Sequence, residues 1–203
     1  MKLSYYRAIF LHLSVVFALL FGFTINAQIV QIGQDIDGEA ANDYSGYSVS
    51  INAAGDRAAI GANGNDGNGS AAGHVRIYEW NGTLWTQQGQ DIDGEAANDG
   101  SGVSISMNAA GDRVAVGAAN NDGNGSDAGH VRVYDWVDGS WSHVDTITLS
   151  RTGGRIYGVQ ITNNGNTVIF SDNGYHIRNE LEIWDYDGTN WNQRGSNIIS
   201  PDW

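Results

Sequence analysis

The sequence predicts an all-β fold, a β-propeller-like array of about three four-stranded blades that is an incomplete propeller or a fragment. Three observations carry this expectation. A block beginning GQDIDGEAAND at Gly33 returns at Gly89 with roughly two-thirds of its aligned positions identical, and a divergent third copy follows. Within each block apolar and polar residues alternate, the period of a half-buried strand. Short turns rich in Gly, Asn and Asp separate the apolar runs, while Pro occurs once.

Ahead of the repeats stand Lys2 and Arg7, an apolar run over 8–23, and a small-residue exit at Ala27. This reads as a signal peptide over 1–27, so the mature chain starts near Gln28 and lies outside the cytoplasm, with no membrane insertion after cleavage. A membrane anchor is the competing reading, because the run is close to the ~17-residue lower limit of a spanning helix.

The repeats occupy 28–203. Residues 28–44 supply an incoming strand over 29–36 and a linker, 45–100 the first blade, 101–150 the second, and 151–203 a divergent third. Each blade opens on an alternating strand: Tyr47, Val49 and Ile51, then Val103, Ile105 and Met107, then Val159 and Ile161. The turn Asn52-Ala53-Ala54-Gly55-Asp56, repeated from Asn108 to Asp112, leads into a second strand over 58–62 or 114–118. Ala and Gly dominate there, which predicts close packing near a crowded centre. The third strand runs His74–Trp80, His130 to Trp136 and Glu180–Tyr186, with Val75 and Ile77 on one face and Arg76 and Tyr78 on the other. Turns at Asn81-Gly82, Asp138-Gly139 and Asp187-Gly188 tolerate the positive φ of tight hairpins, and Trp85, Trp141 and Trp191 then open the fourth strands.

Composition narrows the function classes. The formal net charge is −13 and cysteine is absent. An acidic surface excludes nucleic acid and anionic lipid as electrostatic partners, leaving cations or plain solubility as its use. Without disulfides, stability must come from apolar burial.

Two acidic patterns are candidate cation sites. Asp66, Asn68 and Ser70 stand at alternate positions, repeated as Asp122, Asn124 and Ser126. Alternate oxygen-bearing side chains resemble the first half of a calcium loop, so Ca²⁺ is the cofactor expected at these six residues. A Gly-Asn turn capped by its own side chains is the competing reading. The linker carboxylates Asp35, Asp37, Glu39 and Asp43, repeated as Asp91, Asp93, Glu95 and Asp99, either complete a cation site between blades or accept hydrogen bonds from a crossing loop. The recurrence of His74 and His130 is attributed to blade geometry, and His143 and His176 lack zinc-ligand spacing. No nucleophile-elbow motif is present. The Trp and Tyr residues are expected to fill the spaces between blades.

The stretch YSGYSVSINAAGDRAAIGANGNDGNGSAAGHVRIYEW resembles FG-GAP-like repeats, the units of integrin-type β-propellers, in the form common in secreted proteins of Bacteroidota. The matching residues are Gly46, Gly55-Asp56, Ile60-Gly61-Ala62 and Val75 to Trp80. The acidic hairpin of calcium-binding family members keeps only Asp56 or Asp112 here. The resemblance implies a propeller and a noncatalytic interaction or adhesion module, secreted or on the surface of a Gram-negative bacterium. Its partner would be a protein or glycan, with possible further blades or copies alongside. A structural spacer and a carbohydrate-active enzyme are the alternatives, and the expectation is that the chain is not an enzyme.

Overall fold

A computed structural model describes residues 29–149, 154–172 and 180–199. The signal peptide expected over 1–27, and His176, lie outside the described residues. The chain divides into Met1–Ile32 and Gly33–Trp203. In the second unit the described residues form fourteen strands and no helix.

Three antiparallel sheets follow one another along the chain. The first has β1 (Ser48–Ile51), β2 (Arg57–Ala62), β3 (His74–Trp80) and β4 (Trp85–Gln87) in that order, with β5 (Ile92–Asp93) also pairing β3. The second has β6 (Ser101–Met107), β7 (Arg113–Ala118), β8 (His130–Val137) and β9 (Ser140–Thr148). The third has β10 (Ile156–Ile161), β11 (Thr167–Asp172), β12 (Glu180–Tyr186) and β13 (Trp191–Gln193), with β14 (Ile198–Ile199) on β12. Each blade is a four-strand meander, as the alternating pattern predicts.

The fourth strand is split in blades one and three and continuous in blade two. Gly89 and Gly195, at φ 77° and 72°, break the first and third. Asp145 holds the corresponding position after Trp141, and the path to the isoleucine opposite the third strand is one residue shorter, so β9 runs through with a bulge opposite Val133 and Tyr134.

Consecutive blades pack face to face. Ala59, Val75, Ile77 and Ile92 of blade one meet Ile105, Met107, Val114 and Val116 of blade two. Ala115, Val131, Val133 and Ile147 of blade two meet Val159, Ile161, Val168 and Phe170 of blade three. Trp141 and Trp191 are buried in these clusters, as expected for aromatic filling, whereas Tyr44, Tyr47 and Tyr157 are exposed and fill no space between blades. Crowding at the second strand is real: a Cβ on Gly61 would lie 2.2 Å from the Gly102 carbonyl oxygen and 2.9 Å from Ile105 Cδ1.

One expected strand is missing. Residues 29–36 form none, and Ile29, Val30 and Ile32 are exposed. The equivalent residues Trp85–Gln87 are a strand because Tyr78, Glu79 and Trp80 pair with them. The linker instead docks through side chains, Gln34 Nε2 donating to the Trp85 carbonyl at 2.8 Å and Trp85 N to Gln34 Oε1 at 3.2 Å. Gln90 repeats both bonds with Trp141.

Candidate functional site

Antiparallel meanders sort the connections onto two rims. The second-to-third-strand loops and the acidic linkers share one rim, and the hairpins share the other. On the hairpin rim Asn52 Oδ1 accepts from the backbone N–H of Asp56 and Arg57, and its amide donates to Asp56 Oδ1 at 2.7 Å. Asn108 repeats this with Asp112 and Arg113. Asp56 and Asp112 therefore close turns there. A shallow notch on the same rim is lined by Asp112, Arg113, Asp135 and Asn166, and Arg113 is committed to Asp135 at 2.5 Å.

The loop rim holds the expected calcium residues. Asp66 Oδ1 accepts the Ala71 N–H at 2.8 Å, and Asn68 Nδ2 donates to the Gly94 carbonyl at 2.7 Å. Asp122 and Asn124 repeat these roles with the Asp127 N–H and the Leu149 carbonyl. Both loops thus cap their own turns and tie down the neighbouring linker. The structure brings Asp66, Asn68 and Ser70 into one loop and Asp122, Asn124 and Ser126 into another.

The linker carboxylates are placed with more consequence. Asp43 accepts the Ala40 N–H at 3.2 Å and the Asn65 amide at 2.9 Å, which folds the linker onto blade one. That brings Glu39 over β3. Its Oε2 lies 3.8 Å from His74 Nδ1 and accepts from Asn65 Nδ2 at 3.2 Å, while its Oε1 lies 3.5 Å from Arg76 Nη1. From the opposite side the chain leaving blade one carries Asp91, whose Oδ2 is 3.5 Å from His74 Nδ1 and whose Oδ1 accepts from Gln87 Nε2 at 2.5 Å. One ligand-type atom from each of Glu39, His74 and Asp91 falls within 4.8 Å of the others. His74 is buried, Asp91 partly covered and Glu39 exposed, so the cluster opens to solvent through its carboxylates.

Blade two builds only part of this. His130 Nδ1 is 3.7 Å from Glu95 Oε2, Arg132 Nη1 is 3.8 Å from Glu95 Oε1, and Asn121 bonds both Glu95 and Asp99. The Asp91 position is Thr146, the residue before the isoleucine paired to Val131. Burial drives His130 down to about 4, with Glu95 opposing and Arg132 adding to the shift, so its imidazole is neutral. In blade three Glu180 and Glu182 stand where His74 and Arg76 stand in blade one.

Sequence reasoning named Glu39 and Asp91 but assigned His74 to scaffold. Val75, Ile77, Arg76 and Tyr78 are all buried, because the linker crosses the Arg76 and Tyr78 face, where Arg76 Nη2 donates to the Asp37 carbonyl. The available signal was the joint repetition of HVR and the acidic linkers.

No family model and no curated protein sequence matches the chain. Solved structures do. A proposed 6-phosphogluconolactonase of Bacteroides uniformis aligns at TM-score 0.51 and 10% identity, over 72% of this chain and 39% of that one. One of Bacteroides fragilis aligns at 0.52 and 16%, over 74% and 38%. The β-propeller domain of Cps50 (Swd1) from Myceliophthora thermophila aligns at 0.47 and 16%, over 76% and 38%. This chain therefore spans less than half the length of each of these three structures.

At such identities the likeness shows the fold alone. It nevertheless corrects two expectations, that the chain is a noncatalytic adhesion module and that it is not an enzyme. Both followed from the FG-GAP-like resemblance and from reading the duplicated acidic segments as scaffold, whereas two neighbours above TM-score 0.5 bear an enzyme's name. Among the described residues no helix is long and apolar enough to cross a membrane. The chain is an all-β, propeller-type array of three four-stranded blades.

Proposed function

We propose that this chain is a three-blade portion of a hydrolytic β-propeller that opens a sugar-derived lactone outside the cytoplasm. The observation that carries the reading is the convergence of Glu39, His74 and Asp91 on the loop rim of blade one. The enzyme-named neighbours supply the substrate class. The leader-like residues 1–27 supply the location. The blades are read as FG-GAP-like units on the strength of Ile60-Gly61-Ala62 and Val75 to Trp80.

Lactone opening needs a base for water and a proton for the leaving ring oxygen. A carboxylate of Asp91 or Glu39 takes the proton as the water oxygen bonds to the carbonyl carbon. The ring C–O bond then breaks, and the departing oxygen receives that proton, giving a hydroxy acid. His74 lies beneath both carboxylates, which Asn65, Arg76 and Gln87 orient.

Charge selects among lactones. A net charge of −13 repels a phosphorylated substrate and hastens departure of the anionic product, so the substrate is a neutral aldonolactone. The test is pH-stat hydrolysis of neutral and 6-phosphorylated aldonolactones by the purified chain. Saturable turnover of the neutral compounds is expected, and spontaneous rates throughout the panel would reject the reading.

A further inference from the structure

We propose that Glu39 Oε2, His74 Nδ1 and Asp91 Oδ2 bind one divalent cation of the zinc or manganese class. His74 is 2% exposed, and its Nδ1 meets the two carboxylates at 3.5 and 3.8 Å, beyond a good hydrogen bond. The buried Nδ1 thus faces two carboxylate oxygens across a gap too long for a good hydrogen bond, a spacing that an ion bound between the three atoms would bridge. Ligand atoms around a tetrahedral zinc stand about 3.4 Å apart, so small rotations of the two solvent-facing carboxylates complete the set.

The surroundings fit a metal site in a second respect. The oxygen of each carboxylate that points away from His74 already has a donor, Arg76 on Glu39 Oε1 and Gln87 on Asp91 Oδ1. Such outer partners orient ligands; Asp91 Oδ2 is left to the ion, and Glu39 Oε2 would share it with the Asn65 amide at 3.2 Å. Two carboxylates and a neutral imidazole match a dication in charge. The nitrogen donor favours zinc over calcium and magnesium, and the two carboxylates admit manganese.

Blade two is an internal control, because it keeps Glu95 and His130 but has Thr146 in place of Asp91. The duplicated sequence therefore holds one site. Untagged, chelator-stripped protein is titrated calorimetrically with Zn²⁺ and Mn²⁺. One equivalent per chain is expected, with Asp91→Thr losing it and Thr146→Asp gaining a second. No binding, two equivalents in the wild type, or binding unchanged in Asp91→Thr would overturn the proposal. It shares residues with the hydrolytic reading, and an ion that holds both carboxylates would take them from use as a free base, so the two readings describe metal-loaded and metal-free states. Heat of binding is read without turnover and hydrolysis on chelator-stripped protein, so either can fail alone.

A different observation supports a second proposal. Val49, Ile105 and Val159 are equivalent by register, opposite Ile60, Val116 and Phe170. Ile105 and Val159 are 6% and 2% exposed because the preceding blade covers them, whereas Val49 is 67% exposed. Ile92, Ile147 and Ile198 are likewise equivalent, opposite Val75, Val131 and Leu181. The first two are 3% and 2% exposed against the following blade, and Ile198 is 59% exposed.

Blade one thus offers the face that twice receives a preceding blade, and blade three offers the face that twice receives a following one. We infer that a second copy of this chain docks blade three onto blade one, continuing the interface already made at both internal junctions. Two copies joined twice in this way close six blades, within the usual range of about four to eight. Sedimentation of the purified chain is expected to give a dimer, and Val49→Asp or Ile198→Asp a monomer. A monomeric wild type, whose faces then belong to further blades in its own chain, or a dimer indifferent to both substitutions, would overturn it.

Discussion

The Ser50 hydroxyl accepts the backbone N–H of Met107 at 3.0 Å, clasping the innermost strand of blade one to that of blade two. Ser106 does the same for Ile161 at 3.0 Å one junction later. Ser106→Ala leaves that N–H buried and unpaired, and a lost acceptor of this kind costs about 1–3 kcal/mol. Urea unfolding is expected to report a lower midpoint at unchanged slope.

Gly61 and Gly82 separate close approach from backbone freedom. A Cβ at Gly61 would sit 2.2 Å from the Gly102 carbonyl oxygen, which a sheet backbone cannot relieve by moving a side chain. Gly61→Ala is expected to cost about 3 kcal/mol or more. Gly82 meets nothing within 4 Å but has φ +94°, so Gly82→Ala costs only about 1 kcal/mol of backbone strain. Thermal melts of the two variants should rank in that order.

His130 makes stability depend on pH in a known direction. Its folded value, lowered to about 4 by burial, lies below the 6.5 of an unfolded imidazole, so across that window the unfolded chain binds the extra proton. Stability is full above 6.5 and falls as pH drops towards 4. A depression of that size corresponds to roughly 3 kcal/mol. His130→Gln should flatten the slope of unfolding free energy against pH between those values. His143, also lowered by burial, leaves a smaller residual slope.

Calcium at Asp66, Asn68 and Ser70, with its copy at Asp122, Asn124 and Ser126, predicts two equivalents per chain because both loops are intact. The His74 site predicts one equivalent of a nitrogen-preferring metal. Parallel titrations with Ca²⁺ and Zn²⁺ distinguish them by stoichiometry. Asp66→Ala should cost about 1 kcal/mol in either case, since Asp66 Oδ1 caps the Ala71 N–H.

The strands were legible because each is short, alternating and punctuated by turn residues, and β3 and β12 match their expected ends. The inner-strand packing was legible from Gly61 and its alanine neighbours. The site was not, because it depends on where the linker crosses. Asp91 reaches His74 only because the chain breaks at Gly89 and re-pairs at Ile92, whereas one residue fewer in blade two sets Thr146 there. Alternation gives a strand's faces but not what covers them. For the same reason 29–36 has the pattern of a strand but forms none.

Glu39, His74 and Asp91 are proposed to form a hydrolytic centre. Its most direct test is the initial rate of neutral aldonolactone hydrolysis by the wild type and by Asp91→Asn, at matched folded fraction. Loss of a positioned base predicts a fall of about 10²–10⁴-fold in the variant. Equal rates, or no turnover above the spontaneous reaction in the wild type, would contradict it.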